Sequence, residues 1–377
     1  MRILHTADWH IGKIVNEVSM LEDQAFFLEQ LIEKLKSLDV DVLIMAGDLY
    51  DRALPPKEAV TLVNTVLTRL IKEINIPVFI IAGNHDSNER VEYGASLFES
   101  SNLYIEGTVK EETRKVTIQD TNFYLLPFAD HAYIRELLKD DSIKNLEDAT
   151  RAQINKIKET MNKEETNIII AHGFVINISE DSFETTDSER PLSIGTAEYV
   201  NVEMFEDFDY VALGHLHKPQ KVKHDRIRYS GSILKYSKSE TKQKKQVSLV
   251  TVEKGSVEIE PIYLNPLHDM RVVKGSFENL MTQKSDDYVF FELLDETFIM
   301  DAMNQLRRRF PNAMGLDYVT KKNDNPVYQT GSQKSLKETP LEDLFSKFYQ
   351  QVKQKELAAD QKEIVESILH KLGGNNK

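Results

Sequence analysis

The fold is decided by five short apolar runs, the first of which opens the chain as MRILHTADWH (residues 1–10). The others are VDVLIMAGDLYD (residues 40–51), PVFIIAGNHD (77–86), NIIIAHG (167–173) and YVALGHLH (210–217). Their apolar parts are too short for typical helices and several are rich in β-branched residues, which indicates buried strands. Each run reaches an aspartate, asparagine or histidine at or near its end, so the predicted strands all lead into polar loops.

Amphipathic stretches separate the first three runs. Glu22–Leu38 and Pro56–Glu73 repeat apolar residues at helical spacing, and Pro55-Pro56 marks the start of the second stretch. Strands that alternate with helices predict an α/β fold. Ligand sites in open α/β sheets gather outside the carboxyl ends of the strands. We therefore expect the polar ends of all five runs to converge on one place.

The polar residues at these ends are of the types that hold divalent metal ions. They are Asp8, His10, Asp48, Asn84, His85, Asp86, His172, His215 and His217. The chain has no cysteine, which excludes disulfides, thiolate zinc sites and cysteine nucleophiles. Two divalent ions about 3.5–4 Å apart can clamp a phosphate and activate water at neutral pH. Mixed nitrogen and oxygen ligation suits Mn²⁺ or Fe²⁺ better than Ca²⁺, so we expect two divalent ions of this kind.

Taken in order, the motifs D-x-H, G-D-x-x-D, G-N-H-D, a later histidine and G-H-x-H resemble the calcineurin-like metallophosphoesterase superfamily. The resemblance implies an α/β fold built as a β-sandwich flanked by helices. It also implies a first metal ion held by Asp8, His10, Asp48 and His217. The second ion would be held by Asp48, Asn84, His172 and His215, so that Asp48 bridges the two. His85 would donate a proton or hydrogen bond toward the scissile phosphate or the leaving oxygen, and Asp86 would orient it.

Within that superfamily, the chain is most similar to the bacterial DNA double-strand-break nucleases. This similarity rests on residues 1–10, on DSERPL (residues 187–192) and on the segments after residue 265. It implies Mn²⁺-dependent endonuclease activity on single strands and hairpins, and 3′-to-5′ exonuclease activity on duplex DNA, in repair, replication and recombination. It also implies a homodimer in complex with a coiled-coil ATPase. One departure is Asp51, where archaeal relatives carry histidine, and we interpret Asp51 as a supporting or turn residue rather than a ligand.

The chain divides into four predicted segments. Residues 1–265 form the nuclease domain, and antiparallel strands between Arg226 and Leu264 extend its sandwich. Residues 266–320 form a small α+β capping domain with a strand–helix–strand–helix–strand pattern. Residues 321–337 are polar and typical of a linker, and residues 338–377 form a helical segment. The apolar stripe of its first helix, which predicts a partner-binding surface, consists of Leu341, Leu344, Phe345, Phe348 and Val352.

A basic stretch lies in an otherwise acidic chain. The net charge is −14, yet residues 218–245 hold ten Lys or Arg residues against two acids. Because this stretch follows His217 directly, one interpretation is that it contacts DNA phosphates near the metals. The other is an ordinary solvated hairpin. The candidate contacts are Lys218, Lys221, Lys223, Arg226 and Arg228, and Arg307–Arg309 in the capping domain are equally open to both interpretations.

Two other functions use the same residue types. A phosphoprotein phosphatase or cyclic-nucleotide phosphodiesterase needs the same metals, but needs neither a cap, a helical tail nor a basic stretch. A non-catalytic scaffold on this fold has no need for a complete ligand set plus His85. Residues 1–7 enter a strand directly, which predicts no signal peptide, and no apolar run is long enough to span a bilayer. We therefore expect a cytoplasmic protein with no membrane partner.

Overall fold

All five apolar runs form strands, and each strand leads into the polar residues that the sequence singles out. The computed structural model describes residues 1–178, 184–189 and 199–319, together with Gln361 and Val365. The chain falls into two compact units, Met1–Val319 and Thr320–Lys377, and every helix and strand numbered below belongs to the first.

Most of the strands belong to two large sheets. In chain order they are β1 Arg2–Thr6, β2 Ile14–Val15, β3 Val18–Ser19, β4 Val42–Ala46, β5 Val78–Ile81, β6 Leu103–Glu106, β7 Arg114–Ile118, β8 Thr121–Leu126, β9 Thr166–His172, β10 Phe174–Ile176, β11 Tyr199–Asn201, β12 Tyr210–Gly214, β13 Gln220–Val222, β14 His224–Tyr229, β15 Val247–Glu253, β16 Ser256–Ile262, β17 Met270–Gly275, β18 Tyr288–Leu293 and β19 Ala313–Tyr318.

The helices confirm the predicted alternation with strands. They are α1 Leu21–Ser37, α2 Lys57–Arg69, α3 Asn88–Glu92, α4 Ala95–Phe98, α5 His131–Leu138, α6 Leu146–Thr160, α7 Phe277–Met281 and α8 Ala302–Arg307. A π-helical turn, Leu70–Ile74, extends α2, and short 3₁₀ turns lie at Glu99–Ser101, Val202–Phe205 and Lys238–Lys242. In the part of the chain that the structure describes, no helix combines the length and apolarity needed to cross a bilayer.

Two six-stranded sheets form a sandwich. The first has the order β16-β15-β1-β4-β5-β6, and the second has the order β13-β14-β12-β9-β8-β7. The residues buried between the sheets alternate along the strands, as expected for strands with two packed faces. They include Ile3, Ile44, Phe79, Ile170 and Ala212. Helix α1 covers the outer face of the first sheet through Leu28 and Leu31.

The direction of the central strands places the functional loops. Strands β1, β4, β5 and β6 run parallel in the first sheet, and β8, β9 and β12 run parallel in the second. Helices connect β1 to β4, β4 to β5, β5 to β6 and β8 to β9, as crossovers between parallel strands require. The loops after β1, β4, β5 and β12 carry the predicted ligands, together with His172 at the end of β9, and the shared strand direction brings them to one end of the sandwich.

The prediction of antiparallel strands between Arg226 and Leu264 is only partly correct. Strands β15 and β16 form an antiparallel hairpin through a turn at Lys254-Gly255, in which Gly255 has a φ of +78°. Strand β14, however, pairs parallel to β12. The reason is the short strand β13, which runs antiparallel to β14. The chain therefore reverses direction before and after β13, so that β14 runs in the same direction as β12.

The predicted strand–helix–strand–helix–strand pattern after Met270 is confirmed. Strands β17, β18 and β19 form a separate three-stranded sheet. All its pairings are parallel, so this segment is α/β in character and not of the predicted α+β type, because helices α7 and α8 lie between its parallel strands. Its helices bury Leu280 and Leu306 against Phe291 and Phe310. Other residues of the small sheet, such as Tyr288, join the apolar cluster under the first large sheet.

Candidate metal centre

The loops after the five strands bring the predicted ligands together in the interior. Asp8, His10, Asp48, His172, His215 and His217 are all buried, whereas Asn84 is half-buried. Several of these residues have a positive φ, a conformation that L-residues adopt at a cost. The values are 52° for Asp8, 47° for His10, 58° for Asp48 and 110° for His215. Such strained backbone clusters at functional sites, where the surrounding structure holds it in place.

Glycines in the motifs allow these loops to approach one another. A Cβ atom on Gly83 would collide with the carboxylate and backbone of Asp48. A Cβ atom on Gly214 would collide with the carbonyl of Ala46 and the ring of His172. Glycine is therefore required at these two positions by the close contact between loops from different strands.

One group of donors surrounds His10. The ligand atoms of Asp8, His10 and His217 lie within 4.8 Å of one another. The Nε2 atoms of His10 and His217 are 3.0 Å apart, and His10 Nε2 is 3.5 Å from Asp48 Oδ2. These are the residues that the resemblance assigns to the first metal ion.

A second group of donors surrounds His172. Asn84 Oδ1 lies 3.0 Å from His172 Nε2 and 3.3 Å from His215 Nδ1. His172 Nε2 is also 3.5 Å from Asp48 Oδ2, the same separation that joins this oxygen to His10. The Asp48 carboxylate therefore lies between the two groups, in the place that a bridging ligand requires, although bridging itself stays a prediction.

The donor set fits divalent metal ions. Among the described residues, Asp8 Oδ2 is buried without a hydrogen-bond partner, which is costly for a carboxylate oxygen unless something else satisfies it. Two imidazole nitrogens that face each other, with carboxylate and amide oxygens beside them, suit hard or borderline cations. The His172 Nδ1 donates to the carbonyl of Ala46 at 2.9 Å, which directs Nε2 toward the ligand set.

The protonation preferences of the buried groups fit the same conclusion. Burial lowers the pKa of His10, His215 and His217, so these rings are neutral near pH 7 and can donate a lone pair. Burial would raise the pKa of Asp48, but the neighbouring His172 cation outweighs it, and that pKa lies well below its usual value. Burial lowers the pKa of His172, yet Asp48 more than compensates and raises it to about 9. Metal binding would therefore displace a proton from His172.

His85 lies beside the metal ligands, and its ring is held by a backbone carbonyl. Its Nδ1 donates to the Asp51 carbonyl at 2.8 Å, and its Nε2 lies 4.0 Å from Asp48 Oδ2. The Asp86 carboxylate accepts instead from three backbone amides, those of Gly83, Leu49 and Tyr50, at 2.9–3.0 Å. Asp86 thus fixes the loop that carries His85, and the hydrogen bond that orients the ring goes to Asp51.

Sequence reasoning missed several supporting residues. Gln24 on α1 is buried and donates to the carbonyls of Trp9 and His10, at 3.2 and 2.8 Å. Glu240 is buried behind His217, although it stands in a lysine-rich stretch whose composition is typical of a surface. Its isolation among cations is the one signal in the sequence that could have marked it as a buried counter-ion.

Only part of the basic stretch lies near the metal ligands, although its position in the sequence suggests that all of it does. Arg226 directly precedes Ile227, which pairs with Val211, so Arg226 lies at the amino end of β12, about 13 Å along the strand from Gly214. Lys245 is buried and pairs with Glu240 at 2.6 Å. Other members of the stretch pair with local acids: Lys218 with Glu184, Lys221 with Asp225, Lys223 with Glu206, Lys235 with Asp269 and Lys238 with Asp317.

Of the remaining candidates, Arg228 and Arg307–Arg309 belong to the described part of the chain, and the others do not. The side chain of Arg228 is half-buried and its Nε has no hydrogen-bond partner among the described residues. Arg307–Arg309 are exposed at the end of α8. Residues 190–192 and the predicted partner-binding stripe, Leu341, Leu344, Phe345, Phe348 and Val352, lie outside the described residues.

Comparison with known proteins matches both parts of the chain. The calcineurin-like phosphoesterase family model matches residues 1–219, more than half of the chain. A second model, SbcD_C, described as the type 5 capsule protein repressor C-terminal domain, matches residues 266–353. Among solved structures, a dimetal phosphatase from Danio rerio is similar at 12% identity and a TM-score of 0.44, covering 70% of this chain and 96% of that one.

The two family matches follow each other along the chain in the order that the motifs predict. The first covers every strand-end motif from Asp8 to His217, and the second covers the small sheet and the positions after it. Together they support the predicted resemblance to SbcD-type nucleases, and the clustered histidines and aspartates are consistent with a dinuclear metal site. The chain belongs to the calcineurin-like phosphoesterase family.

Proposed function

We propose that this chain is a metal-dependent DNA nuclease of the SbcD type. It would act as an endonuclease on single strands and hairpins and as a 3′-to-5′ exonuclease on duplex ends, in DNA repair, replication and recombination. The observation that carries the proposal is the buried convergence of Asp8, His10, Asp48, His172 and His217 beside His85. The SbcD_C match in the same chain favours DNA among phosphoester substrates.

The side chains fit two ions, which we propose to be Mn²⁺. Asp8, His10 and His217 would hold one, Asn84, His172 and His215 would hold the other, and Asp48 would be shared. When bound, such ions supply charge stabilisation for the phosphoryl group and a nucleophile at neutral pH. The protein's own contribution is to hold the imidazole and carboxylate ligands in place before substrate arrives.

His85 would act on the substrate rather than on the metals. The Asp51 carbonyl can only accept, so the Nδ1 of His85 carries a proton and Nε2 is the nitrogen directed into the site. From that position a protonated ring can donate to a phosphate oxygen or to the leaving oxygen. Asp86 would keep the ring there by tying the loop to three backbone amides.

Two alternative functions use the same fold. A phosphatase of small or protein phosphoesters would need the metals and His85, but it offers no role for a C-terminal segment that matches SbcD_C. A non-catalytic scaffold would give no purpose to a cluster of imidazoles or to an Asp8 oxygen that is buried without a partner among the described residues. Burying such groups is costly, which disfavours the scaffold.

The test is a comparison of substrates for the purified chain with Mn²⁺. We expect cleavage of hairpin and single-stranded DNA that is abolished by a chelator and restored by Mn²⁺. A phosphoprotein and bis-p-nitrophenyl phosphate serve as competing substrates. Efficient turnover of the phosphoprotein without any cleavage of DNA would show a phosphatase, and no turnover of any ester would show a scaffold.

The partner we propose is the coiled-coil ATPase SbcC. The SbcD_C match ends at residue 353 and so includes the apolar stripe from Leu341 to Val352. Leu344→Asp with Phe348→Asp should abolish co-purification with the ATPase and ATP-stimulated cutting of duplex ends, because charge on a buried apolar stripe costs several kcal/mol. Mn²⁺-dependent nicking of single strands should persist. Co-purification at the wild-type yield would move the interface elsewhere.

We also propose that two copies of the chain associate. Tyr93 and Leu97 are large apolar side chains with 85% and 76% of their surface exposed, and Phe98 lies beside them. Exposed apolar patches of this kind mark interaction surfaces. Leu97→Glu should convert a dimer to a monomer in analytical ultracentrifugation without changing the metal content. A wild-type monomer at all concentrations would refute the association.

A further inference from the structure

A chain of polar side chains stands behind His217, one of the proposed ligands. Its Nδ1 lies 2.7 Å from Ser188 Oγ and 3.3 Å from Glu240 Oε1. The Ser188 hydroxyl donates in turn to Glu240 Oε1. On the opposite side of the ring, Nε2 faces His10 Nε2 at 3.0 Å. The imidazole therefore stands between a carboxylate and the other donors of the metal centre.

Glu240 is held in its ionised form by a neighbouring cation. Its side chain is fully buried, and Lys245 Nζ lies 2.6 Å from its Oε2. Lys245 also donates to the backbone carbonyl of His217 at 2.8 Å, so the cation and the ligand loop are joined directly. A buried carboxylate with such a partner stays charged and can only accept hydrogen bonds.

These contacts fix the direction of the hydrogen bonds between Glu240, Ser188 and His217. Ser188 has one hydroxyl hydrogen, and the Glu240 carboxylate takes it. The Ser188 oxygen must then accept at His217, so Nδ1 of His217 carries the hydrogen. In a neutral imidazole the other nitrogen is then an unprotonated acceptor. The lone pair of Nε2 is thereby presented toward Asp8 and His10.

We propose that Glu240, with Ser188 and Lys245, is the positioning group that fixes His217 in the tautomer that binds metal through Nε2. The proposal rests on metal binding at the proposed centre but not on DNA being the substrate. His172 and His85 are oriented by the backbone carbonyls of Ala46 and Asp51. A carboxylate behind a ligand histidine orients the ring and increases its basicity, and its loss typically costs about 10–100-fold in metal affinity.

The test compares Glu240→Gln with a matched control. Gln preserves the volume, but its amide can donate to Ser188 and so allow the reverse order of hydrogen bonds. Glu106→Gln is the control, because Glu106 is also buried and paired, with Lys110 at 2.7 Å and Arg114 at 3.4 Å. Calorimetric titration of the metal-free proteins with Mn²⁺ gives the affinity of each site. NMR of ¹⁵N-histidine-labelled protein gives the tautomer of His217 before any metal is added.

We expect Glu240→Gln to weaken one of the two Mn²⁺ sites about 10–100-fold and to populate the Nε2–H tautomer, with Glu106→Gln at wild-type affinity. Wild-type affinity in Glu240→Gln, or a wild-type His217 protonated at Nε2, would overturn the proposal. If Glu240→Gln does not fold, the wild-type tautomer and the affinity of Ser188→Ala, which alters a half-buried hydroxyl, still decide it. A wild-type chain that binds no Mn²⁺ would instead overturn the proposed function.

Discussion

Replacing Asp86 with alanine would remove the acceptor of three backbone amides at once. Its Oδ2 accepts from Gly83 and Leu49, and its Oδ1 accepts from Tyr50, at 2.9–3.0 Å. Each buried amide left without an acceptor costs about 1–3 kcal/mol. Part of this cost is offset, because burial and the nearby Asp48 disfavour the charged carboxylate and raise the pKa of Asp86 to about 7. We therefore expect Asp86→Ala to lower the free energy of unfolding by about 3 kcal/mol, the lower end of the range for three amides.

Asp86→Asn separates the effect of the lost hydrogen bonds from the effect of lost volume, because Asn keeps the size of the side chain and removes one acceptor oxygen. The single oxygen of the amide can serve Gly83 and Leu49, but its amino group then faces the N–H of Tyr50, so about 1–2 kcal/mol should be lost. As a control, Asp130→Ala removes the exposed N-cap of α5, worth about 1 kcal/mol. Urea unfolding of the metal-free proteins measures all three. An Asp86→Ala protein no less stable than Asp130→Ala would refute the proposed role of Asp86 in fixing the loop.

Three further predictions concern chemistry, DNA contact and the metal loop. His85→Ala should keep its metal content but lose about 10²-fold or more in the rate of DNA cleavage, while it still cleaves an ester with a p-nitrophenolate leaving group. DNA cleavage at the wild-type rate would remove His85 from the mechanism. Lys218→Gln with Lys221→Gln should reduce the slope of log DNA affinity against log salt concentration by about two, whereas Arg226→Gln, beside the amino end of β12, should not reduce it. An equal reduction in both variants would make the whole stretch a DNA surface again. Gln24→Leu removes one of the donors to the Trp9 and His10 carbonyls and leaves the Gly12 amide without its side-chain acceptor, so it should cost about 2 kcal/mol in urea unfolding and weaken Mn²⁺ binding; an unchanged Mn²⁺ titration would separate α1 from the site.

The central strands and their polar ends could be predicted from the sequence because local signals determine both. A run such as Val42–Ala46 is apolar throughout, and a parallel strand buried on both faces requires that pattern. The convergence of the loops then follows from the topology of parallel strands. Strand β8 could not be predicted in this way because it begins with the polar residues Thr121 and Asn122. Both side chains are nevertheless buried, and Asn122 is hydrogen-bonded to Asn167 at 3.1 Å.

The supporting contacts could not be predicted because they depend on pairings that are distant in the sequence. The carboxylate of Glu240 meets Ser188, which is 52 residues away, and the backbone carbonyl of Asp51 meets His85, which is 34 residues away. Lysine is usually a surface residue, and Lys245 is buried because Glu240 and the His217 carbonyl offer it partners. A count of charges along the chain therefore overestimates the basic surface available to DNA.

The electron paramagnetic resonance spectrum of the chain loaded with Mn²⁺ tests the dinuclear centre most directly. Because Asp48 Oδ2 lies 3.5 Å from both His10 and His172, we expect two Mn²⁺ per chain and the spectrum of an exchange-coupled pair. The coupling should disappear in Asp48→Ala. A spectrum of isolated Mn²⁺ from the wild-type chain at saturation, or a metal content below one ion per chain, would contradict a two-metal phosphodiesterase.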